Sequence, residues 1–512
     1  MDGDEHPRDG TALPPPASVW IDTTPETSYE PLSGDREVDV AVVGGGITGL
    51  TAAAELTDAG EDVAVIESDR IVRGVTGRTT AKVTAQHGLI YDHLRSTVGD
   101  ELARGYAEAN QRAIEHIAET VERRDVDCDF GRTPAYTYTD SPDERGKIAA
   151  EVEAAKALGL PARFVEDTPL PFDVEAAIRV DDQARFHPRE YLLALAESVA
   201  GAGNHVFERT KAREIEGGRR NRVVTDRGTV TAETVVVATH FPILDRRLFF
   251  ARLYPERSYV LAVRASDVPT EGLYYRPGEP MRSLRTHVAG EEDLVLVGGE
   301  GHKTGHGHGP ERYERLERYA RERFDVEEIP YRWSTQDYST PDRIPFVGRV
   351  GPTTDGILVG TGFGGWGMTN GTAAGRLLAD LALGRSAPYR RVYDPTRFSV
   401  AALRTALGEN AHVAKEFVGG WAEGMRDDDA TTPAPGEARV VRRGRRPVGL
   451  YRDEGGDLHA VSAVCTHMDC IVNWNDAEKS WDCPCHGSRF DPDGAVLDGP
   501  AVEDLPTRPF DG

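Results

Sequence analysis

An α/β body followed by a small all-β tail is the fold class this chain predicts, and three observations predict it. A strand, a glycine-rich turn, a helix and a second strand follow one another over residues 38–67. Helical apolar spacing then alternates with strand-like runs for most of the chain. Residues 437–512 read instead as short strands broken by Gly, Asp and Pro, and they hold four of the five cysteines.

Bulk properties narrow the classes of function. At 512 residues the chain is long enough for about three domains. Its 85 acidic and 60 basic residues give a formal charge of −25, which argues against nucleic-acid or anionic-membrane partners, because phosphate binding needs positive surface. Only seven of the basic residues are lysine. Such an acidic, lysine-poor composition resembles that of proteins from salt-loving organisms, and a GC-rich genome produces the same bias. The opening "MDGDEHPRDGTALPPPASVW" lacks the basic-then-apolar order of a signal peptide or anchor. Gly356–Gly375 has the length of a membrane span, but eight glycines with Thr361, Thr369, Asn370 and Thr372 mark a buried glycine-rich turn. A soluble, cytoplasmic protein with no integral membrane segment is expected.

The elements follow in order. Residues 1–37 form an extended lead, 38–395 the body, 396–436 a helical segment and linker, and 437–512 the tail. "DDDATTPAPG" (427–436) is the clearest break. Helices are expected near 99–122, 144–158, 188–201, 310–324 and 371–384.

The body opens on Gly44-x-Gly46-x-x-Gly49, directly after the apolar strand Val38–Val43 and before a helix of small residues, Leu50–Ala59. Gly44 permits the turn, Gly46 lets backbone approach a pyrophosphate, and Gly49 lets helix and strand pack closely. The helix N-terminus adds free N–H groups and a positive dipole. A second strand, Asp62–Ile66, ends in Glu67, placed to accept from ribose hydroxyls. Strand, glycines, helix, strand and acid in this order predict a Rossmann-like dinucleotide site. Gly299-x-Gly301 in "LVLVGGEGHKTGHGHG" suggests a second, nicotinamide site, but no acid-terminated βαβ unit follows. His302, His306 and His308 in that stretch lack Cys, Asp or Glu ligands at regular spacing, so a solvent-exposed loop near the substrate is expected rather than a metal site. Cys128 reads as a small core residue.

Downstream segments decide which dinucleotide. "TVVVATHFP" (234–242) looks like a second strand-and-turn closing over a flavin, and "TPDRIPFVGRVGPTTDGILVGTGFGGWGMTNGTAAGRLLADLALG" (340–384) resembles the C-terminal flavin segment of the D-amino-acid-oxidase-like FAD-dependent oxidoreductases. The resemblance places Thr361, Gly362, Phe363, Gly364, Gly367 and Met368 at the flavin ring and ribityl chain. "ESDRIVRGVTGRTTAK" (67–82) resembles the family's loop after the acid, which brings Thr79 and Thr80 to the flavin. It implies an FAD part of about 38–100, 175–245 and 335–390, and an α+β substrate part of about 100–175 and 245–335.

In the tail, Cys465-x-His467 and Cys483-x-x-His486 each pair one thiolate with one imidazole. A zinc site, a redox switch and an iron–sulfur cluster are all open to such a set, although zinc fingers more often pair Cys with Cys and His with His. Two equivalent Cys/His loops suit a two-iron cluster with two Cys on one iron and two His on the other. The segment resembles the all-β Rieske [2Fe-2S] domain. That resemblance implies Cys465, His467, Cys483 and His486 as iron ligands, a Cys470–Cys485 disulfide bracing the loops, and "DGPAVEDLP" (498–506) as a covering loop. A disulfide is unusual in a reducing cytosol, and burial beside a cluster shields one. High-potential relatives carry a Ser and a Tyr after the second ligand pair; here Ser488 is kept and Phe490 replaces the Tyr. Losing a donor to sulfur predicts a potential below the top of the roughly −150 to +300 mV Rieske span.

Together the two halves imply FAD and a [2Fe-2S] cluster in one oxidoreductase. By family resemblance it takes electrons from a small amine or amino acid and passes them singly through the cluster to an external acceptor. The opposite direction, from an external donor, stays open. So do an NAD(P)H-dependent Rieske reductase and a non-catalytic electron-transfer flavoprotein. His87, Tyr259 and Lys303 are polar residues in segments expected to border flavin or substrate, each equally readable as structural.

Overall fold

The computed structural model describes residues 13–509, apart from 245–247, 270, 290–291, 308, 352–355, 398–399, 425–431 and 444–445. His308 and the first half of the 427–436 linker lie outside the described residues.

The apolar run at the start of the body becomes the strand Arg36–Val43, placed inside a parallel sheet whose other members come from far along the chain. Its neighbours are Gly228–Val237 on one side and Val63–Ile66 on the other, with Ile357–Thr361 and His205–Phe207 beyond them. Val40 faces Thr234 and Val63 across the two ladders. Val40 through Val43 are all buried, as expected of a strand covered on both faces. The helices Ile47–Asp58 and Gly367–Ala382 pack together beside this sheet. The glycine-rich run 356–375 is thus the strand Ile357–Thr361, a turn and the start of a helix. No helix among the described residues is long and apolar enough to cross a membrane.

A second, nine-stranded and mostly antiparallel sheet carries the α+β part. It includes Val326–Ser339, Tyr254–Ala265, Glu292–Lys303, Arg282–Ala289, Leu273–Arg276 and Gly131–Thr139. Ala176–Arg185, expected within the FAD part, belongs here instead, paired with Gly131–Thr139, and so does the short strand Lys82–Val83. Those boundaries were obscured because both sheets draw strands from the same stretches of chain. Gly299 and Gly301 lie inside the strand Glu292–Lys303 rather than in a turn opening a helix, so the dinucleotide context is missing there.

The lead is not merely extended. Val19–Asp22 forms a short helix, and the fully buried Trp20 donates its indole N–H to Thr79 O at 2.7 Å. The lead therefore buttresses the loop that the family resemblance brings to the flavin.

The tail consists of a three-stranded sheet, Ala438–Arg443, Arg446–Arg452 and Leu458–Ser462, and a four-stranded one running from Asn473–Asn475 to Val496–Asp498. The helix Val400–Gly424 leads into it. The tail is docked on the body: Asn473 donates to Gly305 O at 2.9 Å, Arg213 to Val502 O at 2.7 Å, and Tyr313 to Glu478 Oε1 at 3.2 Å.

Candidate functional site

The first site grows from the end of the strand Arg36–Val43. Gly44 turns the chain with φ +113°, and a Cβ there would meet Ala238 O at 2.4 Å. A Cβ on Gly49 would lie 1.9 Å from Gly44 O, so turn and helix touch backbone to backbone. Gly46 caps the helix Ile47–Asp58 with no acid in the first turn; the Ile47 N–H donates to Thr76 Oγ1 at 3.3 Å, and the rest of the helix start suits an anion. Glu67 sits at the cleft edge, where its carboxylate accepts from the N–H of Gly45 at 2.7 Å and of Asp69 at 3.1 Å. Burial pushes its pKa up against those donors.

The other expected residues gather around this turn. Thr361 donates to His240 O at 2.5 Å, linking the strand Ile357–Thr361 to the turn after Gly228–Val237. Phe363 bridges to Ser339, and Gly364 N–H donates to Tyr338 O at 3.0 Å. Gly367 opens the helix on which Met368 is buried. A Cβ on Gly365 or Gly367 would meet nothing within 4 Å, so this turn faces open space. Thr79 is fixed by Trp20, and Thr80 Oγ1 accepts from Lys82 Nζ at 3.3 Å.

His87 adjoins this turn, but inside the core. Its ring nitrogens contact Tyr106 OH at 2.6 Å and Thr84 O at 2.7 Å, and it stacks on Trp366 at 4.8 Å. Burial lowers its pKa to about 3, so it is a neutral, fully engaged ring rather than a free base. Lys303 pairs with Glu409 on the Val400–Gly424 helix at 2.5 Å. Tyr259 is buried against His302 and Tyr313, and the structure does not bring it to the His87–Trp366 group. The His302–Gly307 loop is not freely solvated: Thr304 is buried, and a Cβ on Gly305 would strike Pro484 N of the tail at 2.7 Å. Cys128 is buried as expected, its thiol pushed up to about 12 by burial.

Several residues escaped the sequence reading. Tyr275 packs edge-on against Trp366 at 5.1 Å, and burial pushes its hydroxyl up to about 12. Lys82 is buried, donating to Thr80 and Ser283; burial, then the nearby Arg285, lowers its pKa to about 7. Trp366 stood inside the quoted "TGFGGWGM" motif and was within reach; Tyr275 carried no local signal.

The second site is the tip of the tail. Cys465 and Cys483 are free, buried and close enough for their thiols to perturb each other. The His467 and His486 rings stand edge to face at 5.0 Å. His486 Nδ1 is buried with no hydrogen-bond partner among the described residues, and burial, then His467, lowers the His486 pKa to about 4. Two thiols and two imidazoles make a donor set that fits a two-iron cluster. Cys470 and Cys485 form a disulfide between the two loops. Ser488 hydrogen-bonds Cys465 and accepts from Ala501 N–H at 3.0 Å, while Phe490 is fully buried and opposite Trp481.

The sequence profile described as FAD dependent oxidoreductase matches residues 39–381, and that described as Rieske [2Fe-2S] domain matches 423–509. The chain belongs to the FAD-dependent oxidoreductase family. As a member of that family with a Rieske domain, it is an oxidoreductase using FAD and a [2Fe-2S] cluster. It is 42% identical to the "Putative Rieske 2Fe-2S iron-sulfur protein YhfW" of Bacillus subtilis strain 168, over 96% of this chain and 97% of that one. It is also 26% identical to gamma-glutamylputrescine oxidoreductase of Escherichia coli K12, over 70% of this chain and 86% of the relative. Among solved structures, glycine oxidase from Geobacillus kaustophilus matches 71% of this chain and 99% of its own, with a TM-score of 0.60 at 20% identity, a likeness of fold.

This oxidoreductase has its two sites face to face. The cluster-loop histidines lie against the segment after the strand Gly228–Val237: His467 is 6.4 Å from Phe241 and 6.1 Å from Phe250, and His486 is 5.7 Å from Phe250, ring to ring. Gly487, with φ +82°, allows the closest approach, since a Cβ there would meet Pro255 at 2.5 Å. Tyr338 spans the gap. Its hydroxyl lies 2.8 Å from Gly499 O and 3.3 Å from His486 O, and its own carbonyl accepts from Gly364 in the glycine-rich turn.

Proposed function

We propose that this oxidoreductase removes electrons from a small amine or amino acid at the flavin and delivers them singly, through the Rieske cluster, to an external acceptor. Bound flavin accepts a pair of electrons and can release them singly, and the cluster carries one at a time. The carrying observation is Tyr338, which joins the His486 loop to the Gly364 turn through two hydrogen bonds on one buried residue. In this reading Cys465 and Cys483 hold one iron and His467 and His486 the other. Gly44, Gly46, Gly49 and Glu67 hold the dinucleotide, with Thr79, Thr80, Thr361, Gly362, Phe363, Gly364, Gly367 and Met368 around the flavin.

The side chains beside the glycine-rich turn supply the substrate end. Trp366 and Tyr275 form an aromatic wall, held from behind by the neutral His87. The names of the E. coli and Geobacillus relatives support nitrogen-bearing substrates. Lys82, a buried amine near neutrality beside Thr80, can hold or release a proton within the site.

Anaerobic mixing of holoprotein with a panel of amines and amino acids tests the proposal, with flavin absorbance and the paramagnetic signal of the reduced cluster followed together. Flavin bleaching followed by that signal is expected. Bleaching with a cluster that never reduces refutes the relay.

A further inference from the structure

The glycine–histidine loop after the strand Glu292–Lys303 meets the helix Val400–Gly424 at a group of side chains that the flavin and cluster sites do not use. His306 comes from the loop; His412 and Glu416 come from the helix, one turn apart. His306 Nε2 lies 3.9 Å from one oxygen of Glu416, and His412 Nε2 lies 3.8 Å from the other. One ligand atom from each residue falls within 4.8 Å of the other two. The imidazole rings are 5.5 Å apart and tilted by 36°.

Both Nε2 atoms are shielded from solvent, and neither has a hydrogen-bond partner among the described residues. Two buried imidazole nitrogens aimed at one carboxylate are costly if left so, since each forfeits its hydration without a replacement bond. A divalent ion removes that cost. Zinc takes two His and one Glu readily, with bonds of about 2.0–2.1 Å, so its tetrahedral ligands stand about 3.4 Å apart. Side-chain rotation alone closes the remaining distance. The side chains keep 30%, 33% and 23% of their exposure, which leaves an entry path and room for a fourth, water ligand.

We propose that His306, His412 and Glu416 form a zinc-type divalent-cation site that staples the connecting helix to the body beneath the Rieske domain. The position gives the staple its role. The His306 loop touches one cluster loop, through Gly305 against Pro484, and Gly305 O also accepts from Asn473 in the strand Asn473–Asn475. The helix touches the other, through Trp421 donating to Asp469 O at 3.0 Å and Gly420 against Ile471. An ion at this junction draws together the two supports on which the cluster tip rests. The Lys303–Glu409 pair sits one turn earlier along the same helix face and already holds the two elements in register.

The test uses tag-free holoprotein, loaded with flavin and cluster, dialysed to equilibrium against micromolar zinc, with zinc and iron measured together. One zinc per chain above the iron content is expected, along with a higher melting temperature. His306→Ala, His412→Ala and the conservative Glu416→Gln should each weaken zinc binding by more than the roughly 10–100-fold that losing an outer partner of a metal ligand costs. Unchanged flavin and iron contents show that the variants are folded. Absence of zinc from the wild-type protein, or equal binding by the three variants, overturns the site. Binding that leaves the melting temperature unchanged overturns the staple.

Discussion

In the flavin half, the residues assigned to the cofactor under the proposed function offer mainly backbone: the turn at Gly44, the helix start at Gly46 and the open face of Gly365 and Gly367. At the cluster tip they offer side chains, two thiols and two imidazoles, on loops joined by a disulfide and pressed against the body. A backbone site depends on what is missing at Cβ, and a donor site on what is present. The two should therefore fail separately when altered, and in different ways.

The largest effect belongs to the donor site. Cys465→Ser or His486→Ala should abolish the cluster signal while flavin content stays near one per chain, checked by metal analysis and absorbance. Gly49→Ala comes next. Its methyl group would need room 1.9 Å from Gly44 O, where backbone must move. A cost of about 1–3 kcal/mol is expected, up to roughly a hundredfold in flavin affinity, with iron content unchanged. Loss of both cofactors from either change would show that the halves fold as one unit, against the comparison.

Tyr338→Phe tests the seam between them. Removing the hydroxyl takes its donor from Gly499 O and one of two acceptors from the Gln336 amide, which keeps Gly487 O, at about 0.5–1.5 kcal/mol per bond. Both cofactors should remain, while electron transfer from flavin to cluster slows several-fold in rapid-mixing traces. Ion pairs also cross the seam: Arg257 lies 3.6 Å from Glu478 and Lys211 3.2 Å from Asp504. Burial pushes the Asp482 carboxyl up, but the cations of Arg489 and Arg257, with hydrogen bonds from Asn475 and Ser480, hold it below the usual range.

The same contrast governs what the sequence revealed. Gly44 to Glu67 and Cys465 to His486 were legible because each motif is local: spacing along the chain sets spacing in space. The segments near Thr79 and Thr361 were reached only through family resemblance, because their meeting depends on a sheet assembled from distant strands. Tyr338 and Gln336 lie at the polar end of the strand Val326–Ser339, where nothing in "STQDYST" marks a docking surface. His306 was visible, but its partners His412 and Glu416 stand on a helix more than a hundred residues later. Such pairings are fixed by domain docking, not by local pattern.

A smaller effect concerns cluster potential. Ser488 hydrogen-bonds Cys465, and Phe490 has no hydroxyl to match it. Ser488→Ala should shift the midpoint to more negative values, as each donor lost from sulfur disfavours the reduced cluster. A paramagnetic redox titration measures the shift. A wild-type midpoint near the upper Rieske limit would mean that the missing Tyr has no consequence here.

The last effect is confined to one group, the lysine in the flavin half that folding nearly seals from water. Lys82 is 8% exposed, and burial, then Arg285, lowers its pKa from 10.5 to about 7. Between these values the unfolded chain carries a proton that the folded chain does not, so raising the pH favours the folded state throughout that window. Below about 7 both states are protonated, and the full cost of the buried charge is felt. The stability of the wild-type protein relative to Lys82→Met should therefore rise with pH from about 7 toward 10.5, by at most about 1.4 kcal/mol per unit. Melting curves of both proteins across pH 6–10, a range chosen to span that ~7 value, measure the difference. A constant difference would show that the amine keeps its ordinary affinity for a proton. Side-chain electrostatics would then matter only at the cluster end of the molecule.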